Sequence, residues 1–309
     1  MAVTVPSAQA GRETLVRPSV SAIAADWLLA AIPPRVGSSP ELDEIIHNLR
    51  TASKRARALV QLFGVALGKQ TRRHEDSRLR DAARALAGAR DSSIARTLLH
   101  QLKRTHKGRT AAAIASALLG LEDKSDVALT SEETRAAIAR ANATLHSTVR
   151  QLRRLNLTLG DACDAIEVGL RASYRRSRHQ MRRAREKGTA AEFHEWRKLT
   201  KRVFYQLQFP GLAESKDGRK LVRQLDKLQE RLGLEHDTHM VLALLRAEPA
   251  RFGGAMPTLR VTAALESRAK KLRRRCLRLG AKAFSVKPES FAKDFRRRLR
   301  HLRARTNPA

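Results

Sequence analysis

The chain has 309 residues, room for one large domain or two small ones, with 42% apolar residues to build a core and only 4% aromatics. Its 62 Lys+Arg against 30 Asp+Glu give a net charge of +32, and no single tail accounts for it, since residues 1–155 hold 25 basic and 14 acidic side chains and residues 156–309 hold 37 and 16. Two cysteines, Cys163 and Cys276, exclude a disulfide framework and fit a reducing, cytoplasmic setting; no apolar run is long enough to span a bilayer, and no secretory leader is expected.

Residues 1–18 lack periodicity and are expected to form a flexible arm. Residues 19–32 read as a helix carrying Ile23, Trp27 and Leu28, which Pro33 and Pro34 stop. Pro40 and Glu41 open a longer helix reaching about Leu67, with Gly68 beyond it. Shorter helices are expected over 78–87 and 92–104, separated by Gly88-Ala89-Arg90, and over 110–119, before an acidic linker at 122–126. Ser131 starts a helix that continues to about Asn156, and Gly160 breaks that helix. Residues 161–187 form a long helix ended by Gly188. Thr189, with Glu192 three residues on, resembles a capping box for a helix reaching Phe209, which Pro210-Gly211 terminates.

Leu221, Leu225, Leu228 and Leu232 make an apolar seam on a helix expected to end at Gly233, followed by a short one over 238–246. Leu265, Ala269, Leu272, Cys276, Leu279 and Ala283 make a second, longer seam, and 304–309 form a flexible tail. No stretch alternates over strand length, so the fold class is all-α.

A repeat stands out. His47, Arg50, Lys54 and Arg55 have the same mutual spacing as His194, Arg197, Lys201 and Arg202, and apolar residues keep step beside them. On a helix His47, Arg50, Lys54 and Arg57 share one stripe, while Leu49, Ala52, Ala56, Leu59, Val60 and Phe63 fall on the opposite face. In the second copy His194, Arg197, Lys201 and Tyr205 form the polar stripe, and Trp196, Leu199, Val203 and Leu207 face inward. The repeat divides the chain into halves, 19–156 and 157–303.

Other helices carry cation rows. Arg171, Arg175, Arg178, Arg182 and Arg185 follow a 4-3-4-3 spacing; Lys271, Arg275, Arg278 and Lys282 repeat it, as do Lys220, Arg223 and Lys227. Like charges at i,i+4 each cost a few tenths of a kcal/mol. Rows of them on several helices suit an anion lying across them, and Arg's donor fork suits phosphate oxygens. Cations surround both histidines and no Asp/Cys/His cluster accompanies them, which argues against a metal; no activated nucleophile marks a catalyst. His236-Asp237-x-His239 lacks a third ligand nearby. Tyr174 and Tyr205 can donate hydroxyl hydrogen bonds to phosphate or simply pack, and Asp91 and Asp237 are expected as helix N-caps or as carboxylates that orient arginines.

The motifs His47-x-x-Arg50-x-x-x-Lys54-Arg55 and His194-x-x-Arg197-Lys198-x-x-Lys201-Arg202, each opening a long helix, resemble the conserved-histidine α-helical domain (CHAD) family. So do Leu86-Ala87-Gly88-Ala89-Arg90-Asp91 and Leu232-Gly233-Leu234-Glu235-His236-Asp237, which look like the family's glycine-and-aspartate turn, together with the basic stretch 169–185 and the 291–300 ending. The resemblance implies two antiparallel helical bundles related by a pseudo-twofold, with long basic helices lining a central groove or pore. It implies non-catalytic binding of inorganic polyphosphate without a cofactor, and association with polyphosphate granules. Arg50, Lys54, Arg55, Arg57, Arg197, Lys198, Lys201 and Arg202, the Arg171–Arg182 row, Arg223, Lys227, Arg275 and Arg278 are the expected ligand surface, with the two histidines among them. Neighbouring arginines should depress the histidine pKa values and bound phosphate raise them, so binding is expected to tighten as pH falls. Non-specific binding or condensation of DNA or RNA is the alternative, weakened by the scarcity of stacking aromatics. A phosphohydrolase would want carboxylates holding Mg²⁺, and the basic tract is nearly empty of acids.

Overall fold

The computed structural model describes residues 19–33, 42–86, 91–122, 131–155 and 157–305, with the backbone alone for 43, 91–93, 131 and 298–305. The predicted arm, the Gly88 turn, most of the acidic linker and 306–309 lie outside the described residues. Those described form an all-α helical bundle: α1 (Val20–Leu29), α2 (Leu42–Leu62), α3 (Gly64–Leu67), α4 (Lys69–Ala85), α5 (Asp91–Lys103), α6 (Gly108–Glu122), α7 (Ser131–Arg153), α8 (Leu159–Lys187), α9 (Ala190–Leu207), α10 (Lys216–Ala247), α11 (Ala255–Ala283) and α12 (Pro288–Arg305), with a 3₁₀ turn at Pro249–Phe252.

Local chemistry sets the boundaries around the second histidine. The Asp161 N–H donates to the Thr158 hydroxyl (3.1 Å) at the head of α8, and Gly188, at φ 64°, ends that helix in the left-handed region that glycine adopts without penalty. The Glu192 N–H donates to the Thr189 hydroxyl (3.3 Å), as the capping pattern predicts. The Glu192 carboxylate does not close the box; it takes Arg183 (2.9 Å) and Lys187 (3.3 Å) from α8, tying the two helices together.

Three expectations need correction. The helix predicted to run to Leu67 stops at Leu62, where α8 crosses so closely that a Cβ on Gly169 would stand 2.1 Å from the Leu62 carbonyl oxygen. Helix α4 begins at Lys69 rather than 78, because polar ties hold a stretch that lacks apolar periodicity: Arg72 donates to Gln61 (2.9 Å) and Arg57 forks onto Asp76 (3.0 and 3.1 Å). Gly233 ends nothing. It sits inside the 32-residue α10, whose buried Leu225, Leu228, Leu232, Thr238, Val241 and Leu245 anchor both sides; the roughly 1 kcal/mol cost of a helical glycine is small against that packing.

Two hydrophobic clusters result. The larger joins α1–α4, α7–α9, the N-terminal part of α10 and the C-terminal part of α11 to Phe291 and Phe295 of α12. The smaller joins α5 and α6 to Val241, Leu242 and Leu245 of α10, Phe252, and Val261 and Leu265 of α11. Both draw residues from either side of Asn156.

Candidate functional site

Helices α2 and α9 cross with their repeat motifs facing. At the crossing Gln206 donates to the Ala58 carbonyl (3.1 Å, buried). Trp196, fully buried with Phe193 at 6.0 Å, fixes the inner face of α9 and leaves His194, Arg197 and Lys201 on the side toward α2 and α10. The positive charges of Arg197, Lys54 and Arg50 all act on Lys201, with Asp237 of α10 the opposing carboxylate. Burial, reinforced by those cations, pushes the Lys201 ammonium down to about 7. Burial lowers Arg197 too; Asp237 works against this, and Arg50 adds to it. The Arg197 Nε is buried without a hydrogen-bond partner, and Arg50 donates from Nη1 to the Leu86 carbonyl (3.3 Å).

Sequence reasoning missed the partner of His194. Its Nδ1 lies 3.0 Å from Nδ1 of His236, with ring centroids 4.4 Å apart. Burial, then Lys198 and Arg197, hold His194 below the ordinary imidazole range; burial, with Arg197 and His194 beside it, pushes His236 down to about 4. At neutral pH both rings are therefore uncharged and one Nδ1–H donates to the other. The signal was present in the quoted Leu-Gly-Leu-Glu-His-Asp segment, but His236 reaches His194 only because α10 is continuous there. Asp237, accordingly, is no N-cap; it lies mid-helix and opposes the cations electrostatically.

Behind His236 stands a second group that the sequence did not single out. Glu235, 1% exposed, accepts from Arg273 Nε of α11 (2.8 Å) and faces His239 Nε2 (3.2 Å). Arg273 also donates to the Gly188 carbonyl and lies over the Phe193 ring (5.1 Å). Of the His236-Asp237-x-His239 run, His236 meets His194 and His239 meets Glu235 and Arg273; among the described residues no group of three His, Cys, Asp or Glu could hold a metal ion. Glu235→Gln removes the charge opposite Arg273 and should lower stability by about 1.5 kcal/mol, read by thermal denaturation.

The remaining expected residues scatter. Arg57 is held by Asp76; burial raises that carboxyl, but Arg57, with Arg202 and Gln61, outweighs it and holds the group below its ordinary range. Arg202 feels Asp76, Arg57 and Arg176, on the α8 side of α9. Arg55 lies over the Trp27 ring (5.5 Å), and Lys198 pairs with Glu195. His47 is exposed at the start of α2, whereas His194 is half-buried. Arg223, Lys227, Arg275 and Arg278 are exposed on α10 and α11, Arg223 beside a separate hollow at the α9–α10 turn. The Asp91 side chain lies outside the described residues.

The Arg171–Arg182 row goes elsewhere too. It lines a cavity of about 1150 Å³ with Arg176, His179 and the start of α12, a lining that takes nothing from α2, α9 or α10. Tyr174 is fully buried: it stacks on Phe291 (4.0 Å) and its hydroxyl donates to the carbonyls of Val286 (3.1 Å) and Ala283 (3.3 Å). Tyr205 is buried and its hydroxyl is held above the ordinary range, first by burial. Among the described residues no helix is long and apolar enough to cross a membrane.

No curated protein matches the chain. The family model for the CHAD domain matches residues 34–246, most of the length, and this run takes in both histidine-headed helices, the crossing between them and His236 on α10. The chain therefore belongs to the CHAD domain family.

Proposed function

We propose that the protein binds inorganic polyphosphate across the α2–α9 crossing, without turning it over, and that this recruits it to polyphosphate granules in the cytoplasm. The observation that carries the reading is the gathering of cations from both repeat helices around Lys201. Arg50 and Lys54 of α2 act on Arg197 and Lys201 of α9, and burial together with these cations presses the Lys201 ammonium down to about 7. A polyanion's oxygens suit such a gathering of cations, and they suit the buried guanidinium of Arg197, whose Nε lacks a partner.

In this reading the halves 19–156 and 157–303 are related by a pseudo-twofold axis through the crossing, where α2 and α9 line a basic groove. Supporting it, Arg50 acts on its repeat counterpart Arg197, and Lys54 on its counterpart Lys201, as a twofold between the helices requires. A thin flexible chain suits the crossing better than nucleic acid does, since the aromatic beside the cations, Tyr205, is buried and offers no face for stacking bases. Of the nearby carboxylates, Glu235 is taken by Arg273 and His239, which leaves little to hold the metal that phosphoryl transfer uses.

Competition at moderate salt and equal phosphate tests the choice. Long polyphosphate should displace a labelled polyphosphate probe at far lower concentration than duplex DNA does. Arg50→Gln combined with Arg197→Gln should lower polyphosphate affinity about tenfold and flatten its salt dependence. Equal displacement by DNA would favour the nucleic-acid alternative.

A further inference from the structure

The α8 arginine row is built as a site of its own. Each member is followed two residues later, about 200° round the helix, by a buried residue: Arg171 by Ser173, Arg175 by Ser177, Arg178 by Gln180, Arg182 by Ala184. Two of those residues face α9 directly. The Ser177 and Thr200 hydroxyls are 3.2 Å apart, and Gln180 donates to the Glu192 carbonyl (3.2 Å). The arginines therefore point away from α9, whereas His194, Arg197 and Lys201 occupy the far side of α9. The two cation sets lie on opposite sides of the α8–α9 pair.

The charge on this outer side is uncompensated by arrangement. Asp164 and Glu167, the acids at the head of the same stripe, are both taken by Arg296 of α12 (2.6 and 2.9 Å). At the other end Glu186, one turn beyond Arg182, is exposed and lies outside the cavity lining. Between them, among the described residues, Arg171, Arg175, Arg176 and Arg182 are exposed without a carboxylate in ion-pair range, and Arg178 spends its Nε on the Phe284 carbonyl (3.1 Å). Lys287 and the first turn of α12 close the cavity with further positive potential, against the single carboxylate of Glu289. The lining has no Phe, Tyr or Trp on which a base could stack. From Arg171 to Arg182 the row extends about 16 Å at helical rise.

We infer that this cavity is a second binding tract for linear condensed phosphate, lying lengthwise along α8, so that one protein grips two chains or two segments of one chain. The inference rests on the polyphosphate reading for its ligand class but not on the crossing for its site. Part of the tract comes from α12, beyond the residues that the family model matches.

Titration calorimetry of the full chain with tripolyphosphate, which is too short to reach around the α8–α9 pair, tests it. Two molecules should bind per chain. Arg171→Gln with Arg175→Gln and Arg182→Gln, all exposed positions, should leave one, and Arg197→Gln with Lys201→Gln should leave the other. The α8 triple variant should also bind long polyphosphate at least tenfold more weakly, because the second grip is lost. One site in the unmodified chain that survives the α8 substitutions overturns the second tract and keeps the crossing. One site that they abolish supports the tract and overturns the crossing. An unchanged melting temperature shows that the triple variant is folded.

Discussion

Polyphosphate affinity should fall by up to about a hundredfold as pH rises from 7 to 9, and Lys201→Arg should remove most of that fall. In the empty protein Lys201 titrates at about 7, driven down by burial and by Arg197, Lys54 and Arg50. A phosphate chain against it restores the charged form, moving the group back toward the ordinary lysine value near 10.4. Below pH 7 the ammonium is already charged and binding takes up no proton there. Above pH 7 each unit demands that binding bring its own proton, a loss of up to tenfold per unit.

The other groups facing the site set the rest of the profile. Arg197 and Arg50 stay charged throughout. His194 and His236 are held low by burial and by nearby cations, and a bound anion raises them, so affinity should go on rising as pH falls toward 5. Long chains are the proper ligand, since their internal phosphates keep one charge each over this range. Fluorescence titration at constant ionic strength reads the effect. A wild-type slope that Lys201→Arg leaves intact would remove Lys201 from the site.

Gly169→Ala should destabilise the fold by about 3 kcal/mol or more, a fall in Tm of roughly 6–12 °C for a chain of this size. The added Cβ would stand 2.1 Å from the Leu62 carbonyl oxygen and 2.8 Å from the Leu62 Cα and carbonyl carbon. All three are backbone atoms at the end of α2, so relief requires moving one helix off the other. Gly233→Ala is the control. Its nearest neighbour would be Arg197 Nε at 3.9 Å, an ordinary contact, and better helix propensity should make it neutral or stabilising by up to about 1 kcal/mol. Equal destabilisation by both substitutions would contradict the close approach at Leu62.

Those two glycines show what a sequence reveals and what it conceals. Helical periodicity is local, so the leucine seam of α10, the longer seam of α11 and the opposed apolar and cationic faces of α2 and α9 were legible. Whether a glycine interrupts a helix or lets another pass close by is decided by a neighbour distant in the chain. Gly233 reads as a stop from its own segment alone, and Gly169 reads as nothing. The cations divide the same way. That Arg50 and Lys54 share a stripe of α2, and Arg197 and Lys201 one of α9, follows from spacing, but that Arg57 is captured follows only from where α4 places Asp76. The His194–His236 pair stayed hidden because the turn expected at Gly233 would have carried His236 out of register with α9.

Since α10 runs unbroken from Leu225 in the larger cluster to Leu245 in the smaller one, both clusters are mounted on a single rod about 48 Å long. Tilting one against the other would break hydrogen bonds in that helix. Were a polymer drawn across the α2–α9 contact, as proposed, its tension would pass down this continuous helix into the α5–α6 end.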